Sequence, residues 1–145
     1  MSVDGLSDDE IYAILKRVKT FAVVGANATP ARPSFGVMRF LIDRGYIVWP
    51  VNPGLAGKTI HDRNVYADLA GVPPPIDVID IFRAPEAALQ VVRDAIAIKE
   101  QLGASVIWMQ LGVINEAAAV AARESGLTVM MDRCPKIEFA RLMRG

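Results

Sequence analysis

Cysteine and histidine are almost absent from this chain of 145 residues, which contains only Cys134 and His61. A single cysteine excludes an internal disulfide, and one cysteine with one histidine gives no basis for a dedicated zinc site. Lys plus Arg and Asp plus Glu count 16 each, so no charge bias indicates nucleic acid. No apolar run approaches the roughly 20 residues of a membrane span. We expect a soluble, cytoplasmic protein that binds no metal, nucleic acid or membrane.

The glycine pattern G-x-G-x-x-G of many dinucleotide-binding loops is also missing. The segment VVGANATPARPSFG (23–36) lies where that loop is expected, between an apolar strand and a helix, but has only Gly25 at the strand end. The second strand ends in WPVNPG, without the Asp or Glu that holds the ribose hydroxyls of NAD. The sequence therefore predicts a nucleotide loop of another kind.

Short apolar segments alternate with amphipathic segments along the chain. Strands are predicted at 20–25, 46–51, 76–82, 105–110 and 127–131. Helices are predicted from a capping box of Ser7 and Glu10, from Ser34 as N-cap to Gly45, from Pro85 to about Leu102, from the N-cap Asn115 to Gly126, and from near Pro135. Segment 52–75 is irregular, with a short helix near 66–70.

Apolar strands that alternate with helices imply parallel strands buried on both faces. The sequence thus predicts an α/β fold: a Rossmann-like, doubly wound, mainly parallel sheet of five or six strands with helices on both faces, formed by one domain, 1–145. In such sheets ligands bind outside the carboxyl ends of the strands, where the strand order reverses. Four segments lie there: 25–34, 52–54, 82–85 and 110–115.

Polar and positively charged groups in these four segments favour an anionic ligand with an adenine ring. Ser34 is expected to cap a helix whose free N–H groups suit a phosphate, with Arg32 beside it. Asn52 and Pro53 offer an amide and a flat ring for an adenine, and Arg83 offers a second charge. Each segment also has a simpler interpretation as an ordinary turn or solvated loop.

Four longer segments of the chain carry a family resemblance. They are FAVVGANATPARPSFGVMRFLIDRGYIVWPVNPGLAG, IDVIDIFRAPE, GASVIWMQLGVINEAA and GLTVMMDRCPKIEFARL. Together they resemble the small, free-standing CoA-binding proteins, which are similar to the N-terminal CoA-binding domain of the succinyl-CoA synthetase α subunit. The resemblance covers 21–142.

The resemblance implies that coenzyme A, or an acyl-CoA, lies across the four segments. It implies a phosphate loop, an adenosine end beside the VNP segment, and two strand ends near the pantetheine and phosphates. The residues implied are Gly25, Ala26, Asn27, Arg32, Pro33, Ser34, Val51, Asn52, Pro53, Ile81, Phe82, Arg83, Gln110 and Gly112. Where the synthetase-like domains often have a lysine, this chain has Leu55, so the 3′-phosphate is left to Lys58, Arg32 or another residue.

No catalytic constellation is found in the sequence. His61 has no context for phosphorylation and is interpreted as a surface histidine. Asp80 interrupts an apolar strand and is expected to pair with an arginine or a backbone amide. Cys134 precedes a helix, where it either packs the interior or forms a mixed disulfide with the CoA thiol.

Three functions therefore remain open. The first is a CoA- or acyl-CoA-binding module without catalysis of its own. The second is a subunit of an acyl-CoA synthetase or ligase assembly, and the third is an NAD(H)-binding redox-sensor domain. A protein partner or a homo-oligomer is compatible with each of the three.

Overall fold

The computed structural model describes residues 2–143. Its helices are α1 (Asp8–Arg17), α2 (Pro33–Asp43), α3 (Ala88–Ala97), α4 (Lys99–Leu102), α5 (Glu116–Glu124) and α6 (Pro135–Leu142). Its strands are β1 (Thr20–Val24), β2 (Ile47–Val51), β3 (Thr59–Ile60), β4 (Arg63–Asn64), β5 (Val78–Ile81), β6 (Val106–Met109) and β7 (Thr128–Met130). None of the helices within 2–143 is long and apolar enough to cross a membrane.

Five strands form one sheet in the order β2-β1-β5-β6-β7, and every neighbouring pair is parallel. The chain first moves outward from β1 to β2 and then crosses back to place β5 on the other side of β1. The strand order therefore reverses between β1 and β5. This arrangement confirms the predicted Rossmann-like sheet, and it locates the crevice for ligands at the carboxyl ends of those two strands.

Helices cover both faces of the sheet because successive strand residues point to opposite sides. In β1, Phe21 and Val23 join the apolar cluster beneath α1, α2 and α6, whereas Ala22 and Val24 join the cluster beneath α3, α4 and α5. All five residues of β1 are buried. The uniformly apolar strands of the sequence thus have the two-sided burial that parallel sheets require.

The segment between β2 and β5 differs most from the expected structure. It contains an antiparallel hairpin, β3–β4, which the sequence analysis did not predict. The helix expected near 66–70 is a single 3₁₀ turn, Leu69–Gly71, which Asp68 caps by accepting a hydrogen bond from the Gly71 N–H (3.1 Å). Strands of two residues and single turns lack the periodicity that identifies longer elements.

The helix expected from Pro85 to Leu102 is broken into pieces. It begins with a 3₁₀ turn, Pro85–Ala87, continues as α3, and is interrupted at Ile98, whose φ of −125° and ψ of 21° are not helical. A last turn, α4, ends at Gly103 in the left-handed conformation. The glycine stop is thus confirmed, but the break at Ile98 falls within a sequence of good helix formers.

A buried ion-pair cluster fixes the segment before α1 against the end of β7. Arg133 donates to both carboxyl oxygens of Asp4, at 2.6 and 2.9 Å, and the Asp4 side chain is fully buried. Glu138, on α6, pairs with Arg133 and with Arg141. The capping box of Ser7 and Glu10 is present at the start of α1, as predicted.

Candidate functional site

The crevice between β1 and β5 begins at Gly25, whose φ is +90°. A Cβ atom at this position would lie 2.3 Å from the carbonyl oxygen of Phe82, which follows β5. The family resemblance implied Gly25 as a residue beside the ligand. The structure shows that a neighbouring strand end makes a close approach here, so Gly25 is required by the packing of the protein itself.

The loop after Gly25 is held by internal hydrogen bonds. The Asn27 N–H donates to Ser34 Oγ (3.0 Å), and Asn27 Oδ1 accepts from the Thr29 N–H (2.8 Å). We predicted Ser34 as the N-cap, and this prediction is wrong: Ser34 is buried within the first turn. Instead, α2 begins at Pro33 with Arg32 in the N-cap position. A proline at the first helical position makes that start favourable, because it has no N–H to satisfy.

The helix starts at this edge of the sheet differ in how they are capped. The first turn of α2 has no side-chain cap, whereas Asn115 caps α5 by accepting from the Ala118 N–H (2.9 Å). The segment after Phe82 enters its helix through a 3₁₀ turn. Neither the start of α2 nor the 3₁₀ turn at Pro85 has a side-chain cap, so the positive end of each remains available to an anion.

Asn52 connects the end of β2 to the first loop. Its Nδ2 donates to the Ala26 carbonyl (2.8 Å), and its Oδ1 accepts from the Gly54 N–H (2.8 Å). Both polar ends of the amide are therefore used within the protein. From the sequence we expected this amide to face an adenine, but in the structure Asn52 holds the loop in place.

Three cavities lie along the carboxyl edge of the sheet. The α2 cavity, of about 250 Å³, is lined by Asn27, Arg32, Ser34, Phe82, Gln110 and neighbouring residues. The β2 cavity, of about 310 Å³, is lined by Val51, Asn52, Pro53, Gly54 and Arg83. The α3 cavity, of about 420 Å³, is lined by Pro53, Asp68, Ala70, Arg83 and Asp94 among others.

The three cavities form a row in which neighbouring cavities share lining residues. Gly25 lines both the α2 cavity and the β2 cavity, and Pro53 and Arg83 line both the β2 cavity and the α3 cavity. The row thus runs past the end of β1 and across the point where the strand order reverses.

Most of the residues that the resemblance implied line at least one of these cavities. The exceptions are Ala26, Ile81 and Gly112. Ala26 and Ile81 are fully buried. A Cβ atom at Gly112 would meet no heavy atom within 4 Å, so no neighbouring part of the protein requires glycine at this position. Gly112 has a φ of +80° and donates its N–H to Asp132 (2.8 Å), which is the geometry of a turn.

The α3 cavity brings together residues that the sequence analysis did not single out. Its far wall consists of Asp68 and Ala70 from the 3₁₀ turn and of Asp94 and Ile98 from α3 and its end. These residues are distant in sequence from one another and belong to no motif. Only the packing of an unpredicted turn against an interrupted helix makes them neighbours.

Two buried polar side chains beneath the α2 cavity have no hydrogen-bond partner for their oxygens among residues 2–143. They are Asp80, with both carboxyl oxygens, and Gln110, with Oε1. Asp80 is fully buried, so the expected pairing with an arginine or a backbone amide is wrong. Its burial raises the pKa of the carboxyl well above the ordinary value, because ionisation in an apolar interior is unfavourable.

The single cysteine and the single histidine line none of the three cavities. Cys134 is buried in the apolar cluster beneath α1, α2 and α6, which agrees with a packing role. His61 is not a free surface side chain: its Nε2 lies 2.8 Å from the Phe35 carbonyl oxygen, and its ring packs on the Phe35 ring at 4.1 Å. It attaches the β3–β4 hairpin to α2.

The parallel sheet and its switch point define the class as a Rossmann-like α/β protein. The family model of the CoA binding domain matches residues 19–140, and the chain belongs to that family. The resemblance stated from the sequence is thereby confirmed.

Similar proteins span nearly the same length. YneT of Bacillus subtilis (strain 168), an uncharacterized protein, is 36% identical over 134 residues, 92% of this chain and 95% of YneT. A hypothetical protein from Pyrococcus horikoshii OT3 is 36% identical and has a TM-score of 0.90, with 99% of this chain and 97% of that chain covered.

A longer protein shares the fold alone. It is a dinucleotide-forming acetyl-coenzyme A synthetase of Ca. Korarchaeum cryptofilum, solved with phosphate and ADP, with a TM-score of 0.64 and 21% identity. The match covers 79% of this chain but 26% of the synthetase chain.

Replacement of Gly25 by alanine should destabilise the protein more than the same change at a glycine without neighbours. Gly25→Ala combines a strained positive φ with the collision against the Phe82 carbonyl, and we expect a loss of about 3 kcal/mol or more in the free energy of unfolding. Gly112→Ala has the strain without the collision and should lose about 1–2 kcal/mol. Urea unfolding of both variants measures the difference. Equal losses would show that the strand ends can separate freely.

Replacement of Asp80 by asparagine should change how stability depends on pH. The pKa of Asp80 is higher in the folded protein than in the unfolded chain. Between these two pKa values the folded protein binds the proton and the unfolded chain does not. The free energy of unfolding of the wild type therefore falls as pH rises through this range. Asp80→Asn removes that loss, and its advantage over wild type should grow from pH 4 to pH 8. Urea unfolding at several pH values tests this, with exposed Asp9→Asn as control. A difference independent of pH would contradict an uncharged Asp80.

Proposed function

We propose that this protein binds coenzyme A or an acyl-CoA along the carboxyl edge of its sheet, without catalysis of its own. The observation that carries the proposal is the row of three cavities that share lining residues across the switch point. Coenzyme A is a long ligand with an adenine end, a phosphate-rich centre and a pantetheine arm. The row offers surfaces that suit these three parts in the same order.

The uncapped start of α2 suits the diphosphate of the ligand. The positive end of the helix dipole lies at this start, and Arg32 in the N-cap position adds a full charge. The Arg32 side chain is exposed and lines the α2 cavity, so it can reach a phosphate there. Charge-assisted contacts of this kind are the strong ones in phosphate recognition.

The α3 cavity suits the adenine. Its walls are largely apolar, and the Pro53 ring offers a flat surface against which a base can pack. Asp68 and Asp94 place carboxylates at its far wall, where the exocyclic amino group of adenine can donate a hydrogen bond. Arg83 lies between this cavity and the β2 cavity, a position that suits the 3′-phosphate of the ribose. Lys58 lines none of the three cavities.

The α2 cavity suits the pantetheine arm, whose amides and methylene groups need a mixed surface. Phe82, Leu111 and Val113 supply apolar walls, and Gln110 supplies a polar group at the buried floor. In this placement the arm leaves the diphosphate at the start of α2 and passes over the ends of β5 and β6.

The end of β2 argues against NAD. A dinucleotide enzyme holds the adenosine ribose with a carboxylate at this point. Here the position is taken by Asn52, and both ends of its amide are occupied by Ala26 and Gly54. The edge therefore presents no acceptor to the ribose hydroxyls where NAD needs one.

Calorimetric titration with CoA, acetyl-CoA, dephospho-CoA, NAD and ATP tests the proposal directly. We expect CoA or acetyl-CoA to bind more tightly than NAD and ATP. Arg32→Ala should weaken CoA and dephospho-CoA alike by about tenfold or more, the cost of one charge-assisted contact. Arg83→Ala should weaken CoA more than dephospho-CoA, which lacks the 3′-phosphate.

Arg93→Ala is the matched control, because Arg93 is exposed on α3 and lines none of the three cavities. Preferential binding of NAD, or no binding of any CoA species, would overturn the proposal. Binding of CoA by the isolated chain would also separate a free-standing module from a synthetase subunit that needs its partner to complete the site.

A further inference from the structure

Asp80 is an unusual residue for the centre of a parallel sheet. It lies on β5, the middle strand, with Val23 and Trp108 as its register partners on either side. Its side chain is fully buried, and neither carboxyl oxygen has a hydrogen-bond partner among residues 2–143. A buried polar group without a partner is costly, so a role for this carboxyl is worth seeking.

Gln110 is the second such side chain, and it faces a cavity. It is 7% exposed, it lines the α2 cavity, and its Oε1 is enclosed without a donor in the described part of the chain. The Gln110 N–H donates to the Ile81 carbonyl at 3.2 Å, so the ladder between β5 and β6 continues to this residue. The alternation of side chains between the two faces of the sheet therefore still applies at Gln110.

The strand register places Asp80 and Gln110 on the same face of neighbouring strands. Asp80 is opposite Trp108, and Gln110 is two residues beyond Trp108 and thus on the same side. With strands about 4.8 Å apart and a rise of about 3.3 Å per residue, the two Cα atoms are roughly 8 Å apart. Phe82, the next residue of the Asp80 face, also lines the α2 cavity.

We infer that Asp80 is a positioning residue whose uncharged carboxyl donates a hydrogen bond to Gln110 Oε1 and so fixes the amide with Nε2 toward the α2 cavity. Three acceptor oxygens without a donor cannot satisfy one another, but one proton on Asp80 converts an acceptor into the missing donor. Complete burial, which raises the pKa of Asp80, keeps that proton in place.

This inference rests on the proposed function and deepens it, because it names the ligand group that Gln110 recognises. An amide held with Nε2 toward the cavity is a donor and selects an acceptor. Within the pantetheine arm that acceptor is a carbonyl oxygen. Gln110 then distinguishes coenzyme A from nucleotides that carry the same phosphates without the arm.

A double-mutant cycle on CoA affinity tests the pairing. Asp80→Leu should weaken CoA binding about tenfold in the presence of Gln110 and should have little effect in a Gln110→Met background. Asp80→Asn should bind nearly as wild type, because its amide N–H₂ can donate to Oε1. Gln110→Met should weaken CoA but not adenosine 3′,5′-bisphosphate, which lacks pantetheine.

A second measurement needs no ligand. The side-chain N–H₂ resonances of Gln110, identified by their loss in Gln110→Met, should move in Asp80→Leu more than in Asp80→Asn. Equal effects of Asp80→Leu on CoA affinity in both backgrounds, or Gln110 resonances that are unchanged in Asp80→Leu, would overturn the inference. If CoA does not bind to the wild type, the proposed function fails, and the resonances still decide the pairing.

Discussion

The arrangement of the candidate site depends on how closely the ends of β1 and β5 approach each other. The Phe82 carbonyl occupies the space that a side chain at position 25 would need, and only glycine also accepts the φ of +90° there. This contact brings the two strand ends together at the reversal of strand order. The first loop leaves from one side of it, and the segment that carries Arg83 leaves from the other. The three cavities therefore meet around a fixed point of backbone.

Around that point, the polar side chains divide into two groups. One group makes its hydrogen bonds within the loops and so gives the edge a defined shape; it consists of Asn27, Ser34 and Asn52. Arg32 and Arg83 are exposed and line the cavities. Shape thus comes from neutral amides and a hydroxyl, and charge comes from arginines. For the proposed CoA ligand, these groups suit recognition of the phosphates and the length more than hydrogen bonds to ribose.

The parallel sheet and the segments at its carboxyl edge could be predicted from the sequence, for physical reasons. Uniformly apolar strands between amphipathic helices leave few alternatives to a parallel sheet, and the rule that ligands bind at carboxyl ends identifies the segments around Gly25, Pro53, Arg83 and Gln110. The role of each side chain could not be predicted in the same way. Whether Asn52 binds a ligand or a loop depends on tertiary distances, and the wall formed by Asp68 and Asp94 exists only after an unpredicted turn packs on a broken helix. The missing partner of Asp80 is likewise a property of its surroundings.

The central claim is that one elongated, anionic ligand of the CoA type occupies the whole carboxyl edge from β2 to β6. Backbone amide chemical shifts recorded during a CoA titration test it most directly, because they report on every segment at once. The largest changes should fall in 25–34, 52–54, 67–70, 82–85 and 110–113, with small changes in the β3–β4 hairpin and on the outer surfaces of α3 and α5. Changes centred on those outer surfaces, or confined to one of these five segments, would contradict the account.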